Sequence, residues 1–308
     1  MLKTGRTFLA ATAVVLALTA TGCGSKGADG NGPTVASSKG GDSGTKNSGT
    51  QNDSALDPAA LLKLVGEKTS AAKSAKVEIT NDSANMQVTM EGAISWQNGL
   101  QGELSGKAGG EAAKSLAEAG SDGNMTIRYL TEAMYVNMGD GMAAQLGGAH
   151  WIKYGYEDLA KVMGAAGDSL KSQLQKADPV SSVRALIASG KVTKSGTDTV
   201  DGAPATKYAG DFNLTDLTGA NAKDITQDQI DALQKQLDAA GITTEHIEVW
   251  INADNLLVKK VEKFDSKAGP VTTTAVYSDY GTSVTAIAPK AGDTVDFADL
   301  MKSAQAGS

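Results

Sequence analysis

The sequence has 308 residues, of which 41% are hydrophobic, 20% charged and 5% aromatic, enough for one large or two ordinary domains with a buried core. Its 28 Lys and Arg stand against 35 Asp and Glu for a net charge of -7, and without a basic cluster to face phosphates nucleic acid is not expected as a partner. One Cys and two His, at 150 and 246, exclude an internal disulfide and supply too few ligands for a zinc or iron site, so no cofactor is expected.

At the amino terminus, Lys3 and Arg6 precede an uncharged run from Phe8 to Ala20. The run is too short to cross a bilayer and suits the apolar stretch of an export signal. Ala20-Thr21-Gly22-Cys23 closes it and resembles the lipobox of bacterial lipoproteins, in which the Cys receives a diacylglyceryl group and becomes the new first residue. Residues 1–22 then read as a signal peptide, and loss of Lys3 and Arg6 leaves 26 basic against 35 acidic residues, a mature charge of -9. Two acyl chains attach a protein stably where one binds marginally. The expectation is therefore an anchor at Cys23 facing outward from the cell membrane, with no spanning helix.

From Gly24 to Ser54 the chain carries eight Gly and six Ser in 31 positions, with Val35 its only large aliphatic residue. Such a segment buries nothing and acts as a flexible spacer with a mean span of roughly 30 Å.

Asp57-Pro58 is a helix-start signal, followed by Leu61, Leu62 and Val65 at helical spacing. After Ala75 the period becomes two, with Val77 and Ile79, then Met86, Val88, Met90, Ile94 and Trp96, which predicts strands with one buried face. Asn98-Gly99 signals a turn, Leu100 and Leu104 continue beyond it, and further strands read over 125–130 and 134–138. A helical stripe of Leu159, Val162, Met163, Ala166, Leu170 and Leu174 follows, weakened by Gly164 and Gly167. Asp178-Pro179 restarts a helix that Gly190 ends. Strands at 191–200 and 205–212 flank Asp201-Gly202, a helix spans 224–240, and a last meander is predicted near 243–251, 256–264, 270–279 and 282–287. The total is about eleven strands. Residues 55–295 form the domain and 296–308 a tail.

No Gly-x-Ser-x-Gly elbow, His-Glu-x-x-His helix or Cys-x-x-Cys pair occurs, and no particular carboxylate pair is nominated. Catalysis is not expected. His150 and His246 read as surface or satisfied structural residues, and Asn252, Asp254 and Asn255 fit a hairpin turn better than a calcium loop.

Gly196, Val200-Asp201-Gly202 and Tyr208, the strand Val249-Trp250-Ile251, and Tyr277-Ser278-Asp279-Tyr280-Gly281 with its Ala288-Pro289 exit together resemble the LppX/LprG lipoproteins of mycobacteria, which are related to the LolA and LolB carriers. The resemblance spans essentially residues 55–295, while the Ala/Gly-rich stretch Lys107–Asn124 is an insertion in that pattern. It implies an α+β fold: a strongly curved antiparallel half-barrel sheet with helices over its concave face. It also implies a lipid-sized cavity between the layers, an acylated lipid or glycolipid as ligand, and a part in moving lipids across the envelope. On that reading Met86, Val88, Met90, Ile94, Trp96, Ile127, Leu159 and Met163 line the cavity. Met packs adaptably and each buried methylene gains about 0.8 kcal/mol, so such a lining suits acyl chains. Periodicity reports burial and not emptiness, so the same residues equally describe a solid core. A surface interaction module with such a core is the alternative, and a hydrolase with two acids at the mouth of a polar cleft is a third.

Overall fold

The computed structural model describes residues 57–84, 86–118, 120–163, 167, 171, 174, 178–213, 237, 238 and 240–306. The signal segment, Cys23 and the spacer lie outside the described residues, as do most of the 224–240 helix and much of 164–177.

Asp57 caps the first helix, α1 (Pro58–Ala72), by accepting from the Ala59 N–H at 3.2 Å, and Pro58 opens the first turn without a donor to satisfy. Leu62 and Val65 are its buried aliphatics, each worth about 1.5–3 kcal/mol against exposure. Lys73, at φ 67°, closes it in the left-handed region. Alternating residues then build a first meander: β1 (Ser74–Ser83), β2 (Met86–Ser95), β3 (Gln101–Gly109), β4 (Asn124–Tyr129), β5 (Ala133–Asn137) and β6 (Trp151–Gly155). A second contains β7 (Thr193–Val200), β8 (Ala203–Phe212), β9 (Glu245–Ile251), β10 (Leu257–Ser266) and β11 (Gly269–Ser278). Each meander is antiparallel throughout, and β1 pairs antiparallel with β11 to join them. A short β12 (Thr294–Asp296) adds to β6 in parallel. The result is one curved, unclosed, mixed sheet of 12 strands in the order β12-β6-β5-β4-β3-β2-β1-β11-β10-β9-β8-β7. This is the α+β architecture that the resemblance implies.

The bend between β2 and β3 depends on glycine. Gly92 and Gly106 both sit on the helix-facing side, opposite Leu104 and Met90. A Cβ at either would be built into a carbonyl oxygen of the adjoining strand, Glu103 for Gly92 and Thr89 for Gly106, so no other residue allows this approach.

Besides α1, the described helices are α2 (Gly110–Glu118), α3 (Asp140–Ala143), α4 (Tyr156–Met163), α5 (Ser181–Ser189) and α6 (Phe297–Ala306). α5 ends at Gly190 in the left-handed conformation, as its sequence predicts. The insertion resolves into three parts: Lys107–Gly109 extend β3, α2 follows with no buried residue, and the chain re-enters at Asn124 opposite Lys107.

Three segments differ from expectation. Trp151–Gly155, not anticipated as a strand, is β6, placed opposite β5 by the Asn137–Trp151 to Ala133–Gly155 register. Residues 282–287 form no strand, because both edges of β11 are already taken by β1 and β10. The chain instead leaves the sheet, held as Ser74 Oγ donates to the Thr282 carbonyl at 2.6 Å and Arg128 Nη1 to that of Ile287 at 3.3 Å. It then reaches β12, and the stretch read as a tail forms α6, whose Phe297 stacks on Tyr154 with ring centroids 4.8 Å apart.

Candidate functional site

One face of the sheet is turned to the helices, and its residues form a single buried cluster. Across β2 to β6 the side chains on this face that are buried are apolar or tyrosine, and on β1 Asn81 donates to Thr273 Oγ1 at 3.1 Å. Met90 stands opposite Ile79 and Gly106, Leu104 opposite Ile127, Ile127 opposite Val136, and Val136 opposite Ile152. Val88, Met90, Ile94 and Ile127 are all buried here, together with Leu159 from α4. Met86 and Trp96 are half-buried against the cluster. Trp96 lies beyond the end of β2. Its Nε1 donates to the Ser70 carbonyl at 3.2 Å and its ring meets Tyr280 edge-on at 6.3 Å, so it fastens the strand end to α1. Met163 is the last residue of α4, and its side chain lies outside the described residues.

Across the second meander the same face is interrupted by polar groups that sequence reading missed. Lys260 and Glu262, opposite Val249 and Ile247 of β9, point to the helices and are only 1% and 2% exposed. Lys260 Nζ lies 3.0 Å from Glu262 Oε1 and donates to Ser182 Oγ of α5 at 3.1 Å, while Ser182 donates to Glu262. The two buried charges thus face one another, as those of a buried ion pair must. Glu245, on the same face at the start of β9, has a buried Oε1 without a hydrogen-bond partner among the described residues. Burial first, then the negative charge of Glu262, pushes its carboxyl up to about 8, against a smaller opposing pull from Lys260. Tyr277 of β11 and Ser181 of α5 have buried hydroxyls that likewise lack a partner. Burial drives the Tyr277 hydroxyl far above its ordinary range, helped by the charges of Glu262 and Asp178. Burial also raises Tyr156, whose hydroxyl is unpartnered too.

A β-bulge explains why these residues were illegible. The register shifts between Leu257 and Lys259, so Leu257, Lys260 and Glu262 share the inner face, and Val261 is sent to a small outer cluster with Trp250 and Val200. On α1, buried Thr69 Oγ1 accepts from the Leu257 N–H at 3.1 Å, satisfying the backbone at the bulge.

The triad does not read as a nucleophile with its base. A serine activated by lysine needs a neutral amine, whereas the Lys260 ammonium is held against a carboxylate and donates to the serine. Among the described residues no group of three or more His, Cys, Asp and Glu is placed to hold a metal ion. His150 has a structural partner: its Nδ1 lies 2.5 Å from Asp293, just before β12, and that hydrogen bond raises its pKa. His246 pairs with Asp211 at 2.7 Å. No helix among the described residues is long and apolar enough to cross a membrane.

No protein-family model matches the chain. Of solved structures, LprF from Mycobacterium bovis aligns at 17% identity and TM-score 0.41, over 75% of this chain and 96% of that one. LppX of Mycobacterium tuberculosis aligns at 14% identity and TM-score 0.43, over 75% and 98%. Among curated proteins, an "Uncharacterized 31.2 kDa protein in rplA-rplJ intergenic region" of Streptomyces griseus is 44% identical over 251 residues, 81% of this chain and 82% of the relative. The "Putative lipoprotein SCO4650" of Streptomyces coelicolor is 34% identical over 244 residues, 79% and 76% of the two chains. With identity at that level over most of both lengths, this chain belongs to the family that these two Streptomyces proteins represent.

Proposed function

We propose that the mature protein is anchored at the outer face of the cell membrane through acyl groups on Cys23, and that its domain binds acylated lipids or glycolipids between the sheet and its helices, for transfer across the envelope. Residues 24–54 tether the domain, which begins near residue 55. The observation that carries this reading is the apolar inner face of β2 to β6: Met90, Ile94, Leu104, Ile127, Met134 and Ile152 are buried along it, while Gly92 and Gly106 add no side chain there. Aliphatic and Met side chains on a bent surface suit hydrocarbon tails, which gain about 0.8 kcal/mol per buried methylene. The lipobox, the name of the Streptomyces coelicolor relative and the sequence resemblance to LppX/LprG lipoproteins support the anchor and the ligand class.

The test is to produce residues 55–308, extract them with organic solvent and analyse the extract by mass spectrometry, alongside uptake of a fluorescent fatty acid. Acylated lipid in the extract, or saturable uptake, is expected; protein with neither overturns the proposal. Ile127→Trp separates a chamber from a solid core. In a chamber the indole takes ligand space, so uptake falls at least tenfold with little loss of stability. In a filled core overpacking costs about 1–3 kcal/mol instead.

A further inference from the structure

We propose that residues 290–306 form a strap that closes the β6 side of the inner face and sets how fast a ligand enters and leaves beneath α4, with His150 as its latch. The inference rests on the lipid-binding reading and deepens it by naming how access to that face is controlled.

The strap is part of the seal over the inner face. Its Val295, Phe297 and Leu300 are half-buried and pack against the same cluster that holds Ile127, Ile152 and Leu159, and α6 lies against both β6 and α4. Lifting the strap uncovers that cluster at the margin of the sheet. Its attachment is slight beside the rest of the fold. β12 pairs with β6 over three residues, where β1 pairs with β2 over ten. Ala298 is the buried side chain it contributes. The other ties are Lys153 Nζ to Asp296 at 3.3 Å, Phe297 on Tyr154 at 4.8 Å, and Asp293 on His150. Half-exposed ion pairs of this kind hold weakly, and a segment with a short ladder and little buried surface opens at less cost than the sheet it covers.

His150 joins the strap to two further elements. Standing just before β6, it places its N–H 3.0 Å and its ring Nδ1 2.5 Å from Asp293 Oδ1, while its Nε2 lies 3.9 Å from Asp140 at the start of α3. Lys290 acts on Asp293 from within the strap. With both ring nitrogens turned to carboxylates, the imidazolium fits the closed strap better than the neutral ring does. The Asp293 hydrogen bond, then the charges of Asp293 and Asp140, hold the His150 pKa above its ordinary 6.5. The stability that closure draws from this proton is therefore complete below 6.5 and is lost as the pH rises through the raised value. Acid tightens the strap and alkali loosens it.

The experiment uses residues 23–308 with Cys23→Ser, which leaves no thiol in the chain, and follows uptake and release of a pyrene-labelled fatty alcohol, a probe with no titratable group, by stopped flow. Lys153 and Asp296 are partners across β6 and β12, at a separation that adjacent strands and a disulfide share. With Lys153→Cys and Asp296→Cys together, oxidation is expected to slow uptake and release on the order of tenfold, and reduction to restore both. Equal rates in the oxidised and reduced forms would overturn the strap while leaving lipid binding intact. In the parent chain both rates are expected to rise several-fold between pH 5.5 and pH 8.5, and His150→Gln should remove most of that rise. Glu245 titrates in both proteins, so the difference between them belongs to His150. A flat profile in the parent, or a rise that His150→Gln leaves whole, would overturn the latch. If the reduced protein takes up no probe at either pH, the lipid-binding reading itself fails.

Discussion

Across β2 to β6 the positions facing the helices carry Met90, Ile94, Leu104, Ile127, Met134 and Ile152, whereas across β9 to β11 the same face carries Glu245, Lys260, Glu262 and Thr273 among its aliphatics. The first half keeps the period of two, the second breaks it at the bulge after Leu257, and both are covered by helices. The first half is held by area removed from water, tolerant of exchange among aliphatic side chains and sensitive only where backbones touch. The second is held by directional pairing, in which each polar group has value only while its partner is present. One surface thus joins a region that tolerates exchange among aliphatic side chains to one that depends on matched polar pairs.

The contrast is broken most severely where the first half is rigid. Gly106→Val drives a side chain into the Thr89 carbonyl, and the variant is expected to lose more than about 4 kcal/mol or not to fold, measured by urea denaturation. Wild-type stability would show that the bend does not need glycine. In the second half Lys260→Met leaves Glu262 buried without its counter-ion, at an expected loss of about 3–5 kcal/mol, while Lys260→Met with Glu262→Leu recovers most of it. Additive losses in the double variant would mean that the pair is not coupled.

A third test is a pH dependence. The folded state raises the Glu245 carboxyl from 4.5 to about 8, so between those values the folded chain holds a proton that the unfolded chain has released. The stabilising contribution is complete below 4.5 and is lost as the pH rises through about 8. Glu245→Gln should therefore flatten the melting temperature across that window and raise it relative to wild type at pH 9. A parallel pH profile in the variant would place the titration elsewhere.

The apolar half was legible in the sequence because Met86, Val88, Met90, Ile94 and Trp96 keep to even positions with only Gly92 among them, and the Asp57-Pro58 cap and Gly190 stop are local signals that burial did not override. Val88, Met90 and Ile94 followed from that alternation, Ile127 from the strand read over 125–130 and Leu159 from the helical stripe, and all five are buried in one cluster. The polar half was hidden by the bulge after Leu257. Counting by twos from that residue puts Val261 inside and Lys260 outside, the reverse of what the register shift produces. Trp96 shows a related limit of the alternation, which runs past the end of β2 to where the chain turns and the ring packs beside α1. The parallel β12 had no short-range signal, since its partner β6 lies some 140 residues earlier, as the 143-residue separation of His150 from Asp293 shows.

That late pairing has a consequence for biosynthesis. The margin of the sheet at β6 is covered over Trp151–Lys153 by Thr294–Asp296, the last strand among the described residues, and held by Asp293 on His150 and Phe297 on Tyr154. A nascent or clipped product stopping near residue 290 would present Trp151–Gly155 with unpaired amides, a template on which another copy can add. A three-residue strand thereby covers a margin of the sheet that would otherwise be open to another copy.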